Sequence, residues 1–145
     1  MDTKLDNKCK LTKLNIIPNI KGNIIHVIKK DEKDFKGFGE LYFSEVKYKS
    51  IKAWKNHSKQ TCNFIVPSGE VLFVVILDEN SAQYKTFKLG AVNNYRLTVE
   101  PSTWFGFMGL GKGTNYVMNL SNLIHDPKEV FNKDIDYFDF DWSKN

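Results

Sequence analysis

Apolar and polar positions follow one another along this chain in short runs, without the sustained period of an amphipathic helix. Residues 23–29, 39–46, 50–54, 62–66, 71–77, 84–89, 95–99 and 116–120 are rich in β-branched and aromatic side chains and are separated by turn chemistry, which reads as strands. So many short strands in roughly a hundred residues imply an all-β sandwich or barrel. Residues 71–77, VLFVVIL, are apolar without interruption, as in a strand covered on both faces, and are expected at the centre of a sheet. Pro67-Ser68-Gly69 and Asp78-Glu79-Asn80-Ser81 carry turn residues, and the second is expected to join its flanking strands as a hairpin. Helix is confined to single turns, at 31–35 and at 126–131, where Asp126 reads as an N-cap with Pro127 at the first helical position.

Composition narrows the class. With 145 residues, 41% apolar and 14% aromatic, the chain holds enough apolar material for one core, expected over 11–145 after a polar, mobile tail at 1–10. The net charge is +4, yet all but Arg96 of the 21 basic residues are lysine, and they are not gathered on one segment. Nucleic-acid readers use arginine forks and a concentrated basic face, so no nucleic-acid partner is expected. Cys9 and Cys62 form no metal-binding or disulfide pattern and read as reduced thiols. No apolar run approaches the roughly 20 residues of a membrane span, and the N-terminus lacks a signal-peptide core, so no membrane partner and a cytoplasmic location are expected.

Candidate chemistry is sparse. The histidines are His26, His57 and His125, and a barrel metal site asks for two or three with a carboxylate, two of them spaced H-x-H on one strand face. That spacing reads Lys55-Asn56-His57 here, and a protonated lysine does not ligate, so no metal is expected. Residues 51–61 carry the densest chemistry, with alternation that directs Lys55 and His57 to one face. They read either as a cavity wall holding an acid/base pair or as a basic edge strand. The glycine-rich stretch Gly109 to Gly113 lacks the Ser/Thr and helix of a phosphate loop and reads better as a flexible hairpin. The aromatics of 101–107 suit stacking on a sugar or base, or packing at a rim or subunit interface. Those of 137–142, alternating with acids, suit an edge strand or a segment docked on the barrel, with packing the stronger reading.

Taken in order, GNIIH at 22–26, GFGELYF at 37–43, KAWKNH at 52–57, VPSG at 66–69, PSTWFGF at 101–107 and IHDPKE at 124–129 resemble the dTDP-4-dehydrorhamnose 3,5-epimerase-like family of sugar-nucleotide cupins. The pattern is similar also to nucleotide-sugar 3,4-ketoisomerases, and it spans about residues 20–142. The resemblance implies a cupin-type jelly-roll barrel and a homodimer, with a nucleotide-linked sugar as the partner in the barrel's mouth and no cofactor. It implies enolate-forming proton abstraction beside a 4-keto group, in the making of a surface polysaccharide such as lipopolysaccharide. The family's histidine pair falls on Lys55 and His57, and a further family histidine on Phe105. His57 and Tyr42 are the implied acid/base pair, and Lys55 is a third catalytic residue, a base if burial or a neighbouring cation lowers its pKa and otherwise a clamp on the enolate or diphosphate. Trp54, Gln60, Asn63, Asn119 and His125 are the implied substrate-binding residues. The activity implied is epimerase or isomerase of a nucleotide-linked 4-keto-6-deoxy sugar. A degenerate cupin that binds a sugar nucleotide or partner without turnover is the alternative, favoured by Lys55 and Phe105.

Overall fold

The computed structural model describes residues 7–81 and 83–145. Two antiparallel five-stranded sheets face each other as a jelly roll, with the strands numbered in chain order. The first sheet runs β1 (Cys9–Lys13), β9 (Tyr95–Val99), β6 (Cys62–Ser68), β11 (Asn115–Ser121), β4 (Glu40–Val46). The second runs β12 (Val130–Asn132), β5 (Ile51–His57), β10 (Trp104–Gly109), β7 (Glu70–Asp78), β8 (Gln83–Gly90). A separate exposed ribbon pairs β2 (Asn15–Ile17) with β3 (Ile24–His26). Among the described residues no helix is long and apolar enough to cross a membrane.

Period-two alternation sorts the apolar residues into two layers. Val71, Phe73, Val75 and Leu77 of β7 meet Phe64 and Val66 of β6 and Phe105 and Phe107 of β10 between the sheets. Leu72, Val74 and Ile76, on the other face of β7, lie with Trp54, Trp104 and Met108 beneath Phe138 and Trp142 of the C-terminal segment. This second layer explains why β7 is apolar throughout, as its sequence suggested, and it makes 137–142 a docked segment. Each of these buried side chains contributes about 1.5–3 kcal/mol over its exposed state.

Several expectations are corrected. Residues 104–109 form a strand that the aromatic-rich reading of 101–107 did not resolve. Cys9 and Lys10, placed in the tail, pair with Val99 and Thr98; the part of that tail at 1–6 lies outside the described residues. Residues 31–35 are a succession of turns closed by Glu32 N–H to Lys29 O and Phe35 N–H to Glu32 O, not a helical turn. At 126–131 the cap chemistry is real, since Asp126 Oδ1 accepts from Lys128 N–H at 3.0 Å. The chain then leaves the turn, because Val130 and Phe131 find a ladder on the open edge of β5 opposite His57 and Asn56. The 78–81 turn does close the β7–β8 hairpin.

Gly109 to Gly113 is a corner between sheets and not a hairpin, since β10 and β11 lie in different sheets. Fully buried Asn115 ties it down. Its Oδ1 accepts from Glu70 N–H at 2.9 Å and Gly111 N–H at 3.1 Å, while its Nδ2 donates to Val46 O at 3.0 Å and Gly111 O at 2.8 Å. Gly69 sits beside it at φ +80°, where a Cβ would lie 2.2 Å from Asn115 Oδ1. Asn115→Ala strands buried backbone groups at once and is expected to cost about 2–3 kcal/mol, read as a fall in urea midpoint at unchanged slope.

Candidate active site

The open ends of β4 and β11 in one sheet and of β5, β10 and β12 in the other leave a cavity of about 340 Å³ between them. Its floor is aromatic, with Phe64, Phe105 and Phe107, and its walls carry Tyr42 and Asn119 on one side and Lys55 and His57 on the other. Antiparallel register explains who faces inward. Lys55 lies opposite Phe105, an inner-layer residue, and His57 shares its face two positions on. A bulge then lets Lys52 pair with Phe107, which returns a third residue of β5, a lysine, to the cavity. Across the cavity Tyr42 lies opposite Asn119 in the β4–β11 ladder.

His57 is 7% exposed and stacks on Phe105 with ring centroids 6.0 Å apart. Its Nδ1 lies 2.7 Å from Oε2 of Glu129, which is itself buried. The other carboxylate oxygen of Glu129 accepts from the backbone N–H of Gln60 at 2.9 Å and of Lys59 at 3.3 Å. Burial pushes the Glu129 carboxyl upward, but the hydrogen bond from His57 and those backbone donors outweigh it and hold the group below the usual glutamate value. An ionised Glu129 accepts only, so His57 Nδ1 carries the proton and donates it, leaving the Nε2 lone pair as the ring's free base. Because the folded-state value is depressed, the stability Glu129 contributes is present above pH 4.5, the ordinary value, and is lost as pH falls through the lowered one. The difference in denaturant midpoint between wild type and Glu129→Gln is therefore expected to shrink progressively on acidification below pH 4.5.

Tyr42 Oη accepts from Asn119 Nδ2 at 3.1 Å. Burial pushes the phenol upward and this hydrogen bond moderates the shift, so Tyr42 is protonated at neutral pH. Lys55 is exposed at the cavity's edge, as are Lys52 and Lys133. The three ammonium groups together form a positive rim suited to an anionic ligand. Among the described residues no three His, Cys, Asp or Glu side chains gather as a metal site would require.

The remaining expected binding residues divide. Gln60 is buried behind the cavity, its Oε1 accepting from Asn119 Nδ2 at 3.3 Å and from the Cys62 thiol at 3.2 Å. Burial pushes that thiol up to about 12, so it stays neutral. Trp54 borders the cavity, but its indole belongs to the outer layer. Its Nε1 donates to Ile135 O at 3.0 Å, and its ring packs against Phe138 and Trp142, leaving no face for a ligand. Asn63 points out of the barrel, because it stands between inward-facing Cys62 and Phe64. Its amide bridges Thr98 Oγ1 at 2.6 Å and Asp34 O at 3.1 Å. His125 is exposed in the loop after β11, outside the cavity lining.

Glu129, Lys52 and Lys133 were given no role from the sequence. The signal for Glu129 was the Asp126-Pro127 turn that stops the chain and restarts it as an edge strand. Lys52 is hidden by a bulge that no local pattern announces.

No protein-family model matches the chain, and no curated protein matches it. Among solved structures, a dTDP sugar isomerase from Desulfovibrio desulfuricans G20 is similar at 31% identity, over 94% of this chain and 92% of that one, with a TM-score of 0.85. The dTDP-4-dehydrorhamnose 3,5-epimerase from Sulfolobus tokodaii shares the fold at 20% identity, over 92% of this chain and 81% of that one, with a TM-score of 0.78. So does the sugar 3,4-ketoisomerase QdtA from Thermoanaerobacterium thermosaccharolyticum, at 19% identity over 91% and 93% with a TM-score of 0.74. The resemblance read from the residue pattern is thereby shown, and the chain belongs to the dTDP-4-dehydrorhamnose 3,5-epimerase-like family of sugar-nucleotide cupins.

Proposed function

We propose that the protein is an epimerase or isomerase of a nucleotide-linked 4-keto-6-deoxy sugar. The observation that carries this reading is the pairing of a carboxylate-held His57 on one wall with Tyr42 on the facing wall of a single cavity rimmed by lysines. The dTDP sugar isomerase at 31% identity supports the substrate class. In this reading His57 Nε2 takes the proton from the carbon beside the carbonyl. The C–H electron pair forms the C=C bond, and the carbonyl π pair moves to oxygen as an enolate. The Lys55 ammonium stabilises that oxygen or the neighbouring diphosphate, and Tyr42 returns a proton from the other wall. No step calls on a cofactor or a metal. The reaction belongs with the making of a surface polysaccharide, a placement supported by the family resemblance alone.

Solvent exchange tests the reading. Protein incubated in deuterated water with dTDP-4-keto-6-deoxyglucose, or its GDP or UDP counterpart, is expected to erase the C3 or C5 proton signal of one of them by NMR. Binding without exchange would instead establish the degenerate cupin, in keeping with Lys55 and Phe105 at positions where the family resemblance implies histidine. We further propose a homodimer in the cytoplasm. The isoleucines exposed on the β2–β3 ribbon, Ile16, Ile17, Ile24 and Ile25, with Ile20 fully exposed at its turn, support a second copy as their cover. Sedimentation equilibrium reads that mass directly.

A further inference from the structure

We infer that Asn119 is a positioning residue that makes Tyr42 a donor toward the cavity, an inference resting on the reading of Tyr42 as the acid of the proposed reaction. The backbone decides which way the Asn119 amide points. Asn63 N–H, a donor only, lies 3.0 Å from Asn119 Oδ1, so that atom is the carbonyl oxygen and the remaining amide atom is nitrogen. That nitrogen spends one hydrogen on Gln60 Oε1 at 3.3 Å, an oxygen that also takes the Cys62 thiol hydrogen, and the other on Tyr42 Oη at 3.1 Å. The phenol oxygen therefore accepts from Asn119, and its own hydrogen has to point elsewhere. Among the described residues Asn119 is the hydrogen-bond partner of Tyr42, and the direction left open is the cavity that Tyr42 lines.

Two consequences follow for the proposed chemistry. The O–H bond of Tyr42 is aimed at the substrate before binding, so no reorientation is needed when the proton is returned. After transfer, the phenolate finds the same Asn119 N–H already in place, and it regains its proton from solvent when product leaves. The amide is fully buried and locked at both ends, so it does not rotate to offer its oxygen.

Asn119→Asp separates this role from simple packing. The carboxylate still accepts from Asn63 N–H, but its second oxygen now accepts from Tyr42 and turns the phenol hydrogen away from the cavity. With Tyr42 ζ-13C-labelled and assigned against Tyr42→Phe, the titration midpoint is expected to rise by at least one unit in Asn119→Asp, about tenfold in acidity. Turnover is expected to fall at least tenfold in kcat with little change in KM, and the Tyr42→Phe/Asn119→Asp double variant to lose no more than Tyr42→Phe alone. In the wild type the Asn119 side-chain amide protons are expected to shift in step with the Tyr42 titration, a readout that survives even where the variant fails to fold. An unmoved Tyr42 midpoint in Asn119→Asp, or an Asn119 amide indifferent to Tyr42 ionisation, overturns the inference. Because the NMR readouts need no substrate, a protein that exchanged no sugar proton would remove the proposed function while these resonances still decided the role of Asn119.

Discussion

His57→Ala is expected to slow solvent-deuterium exchange into a nucleotide-linked 4-keto sugar at least a hundredfold, with the sugar nucleotide still bound. A positioned general base contributes about 10²–10⁴ in rate, and the described cavity offers no equivalent replacement. Lys55, two positions away on the same face, is exposed at the cavity's edge and shares the positive rim with Lys52 and Lys133, a setting suited to clamping an anion. Binding should survive, because the rim and the aromatic floor are untouched by the substitution. Exchange by the variant at the wild-type rate would remove His57 from the reaction.

Glu129→Gln is expected to lose nearly as much, although the substituted side chain touches no substrate. The backbone N–H groups of Lys59 and Gln60 are donors only, so they hold the amide oxygen of the new glutamine where a carboxylate oxygen was. Its nitrogen then faces His57 Nδ1 and donates to it, which drives the imidazole proton to Nε2. The ring keeps its place and its stacking on Phe105 but presents a hydrogen where the base needs a lone pair. A loss of about a hundredfold or more in exchange, with a melting temperature within a few degrees of wild type, is the expected result. The 15N shifts of the imidazole supply an independent check, since the tautomer should exchange its protonated nitrogen between the two proteins. A variant that exchanges within threefold of wild type would make Glu129 a packing residue only.

Much of this arrangement is legible in the residue pattern, and the parts that are not share a cause. The β7 run announces burial on both faces because each of its residues is apolar, and the Lys55–His57 spacing announces a shared face because strand period is local. The strand at 104–109 is obscured by Gly106. It sits where a Cβ would lie 2.5 Å from the Cβ of Ala53, so close packing there puts a turn-type residue inside a strand whose other residues are apolar on both faces and show no alternation. The outward face of Asn63 is legible from period-two alternation, since Cys62 and Phe64 on either side claim the inner face. Glu129 is a different matter. Its neighbours spell a helix cap, and the histidine it holds lies 72 positions earlier, so only the pairing of β12 with β5 brings the two together. Lys52 likewise depends on a register shift between β5 and β10 that its own strand does not encode.

All three tryptophans of the chain belong to the outer layer, Trp54 and Trp104 beneath the C-terminal segment and Trp142 within it, while the phenylalanines that floor the cavity belong to the inner layer. The protein's intrinsic fluorescence is therefore a reporter of the seating of residues 137–142 on the back of β5, β10 and β7. Emission should redden when that segment detaches and water reaches the indoles of Trp54, Trp104 and Trp142.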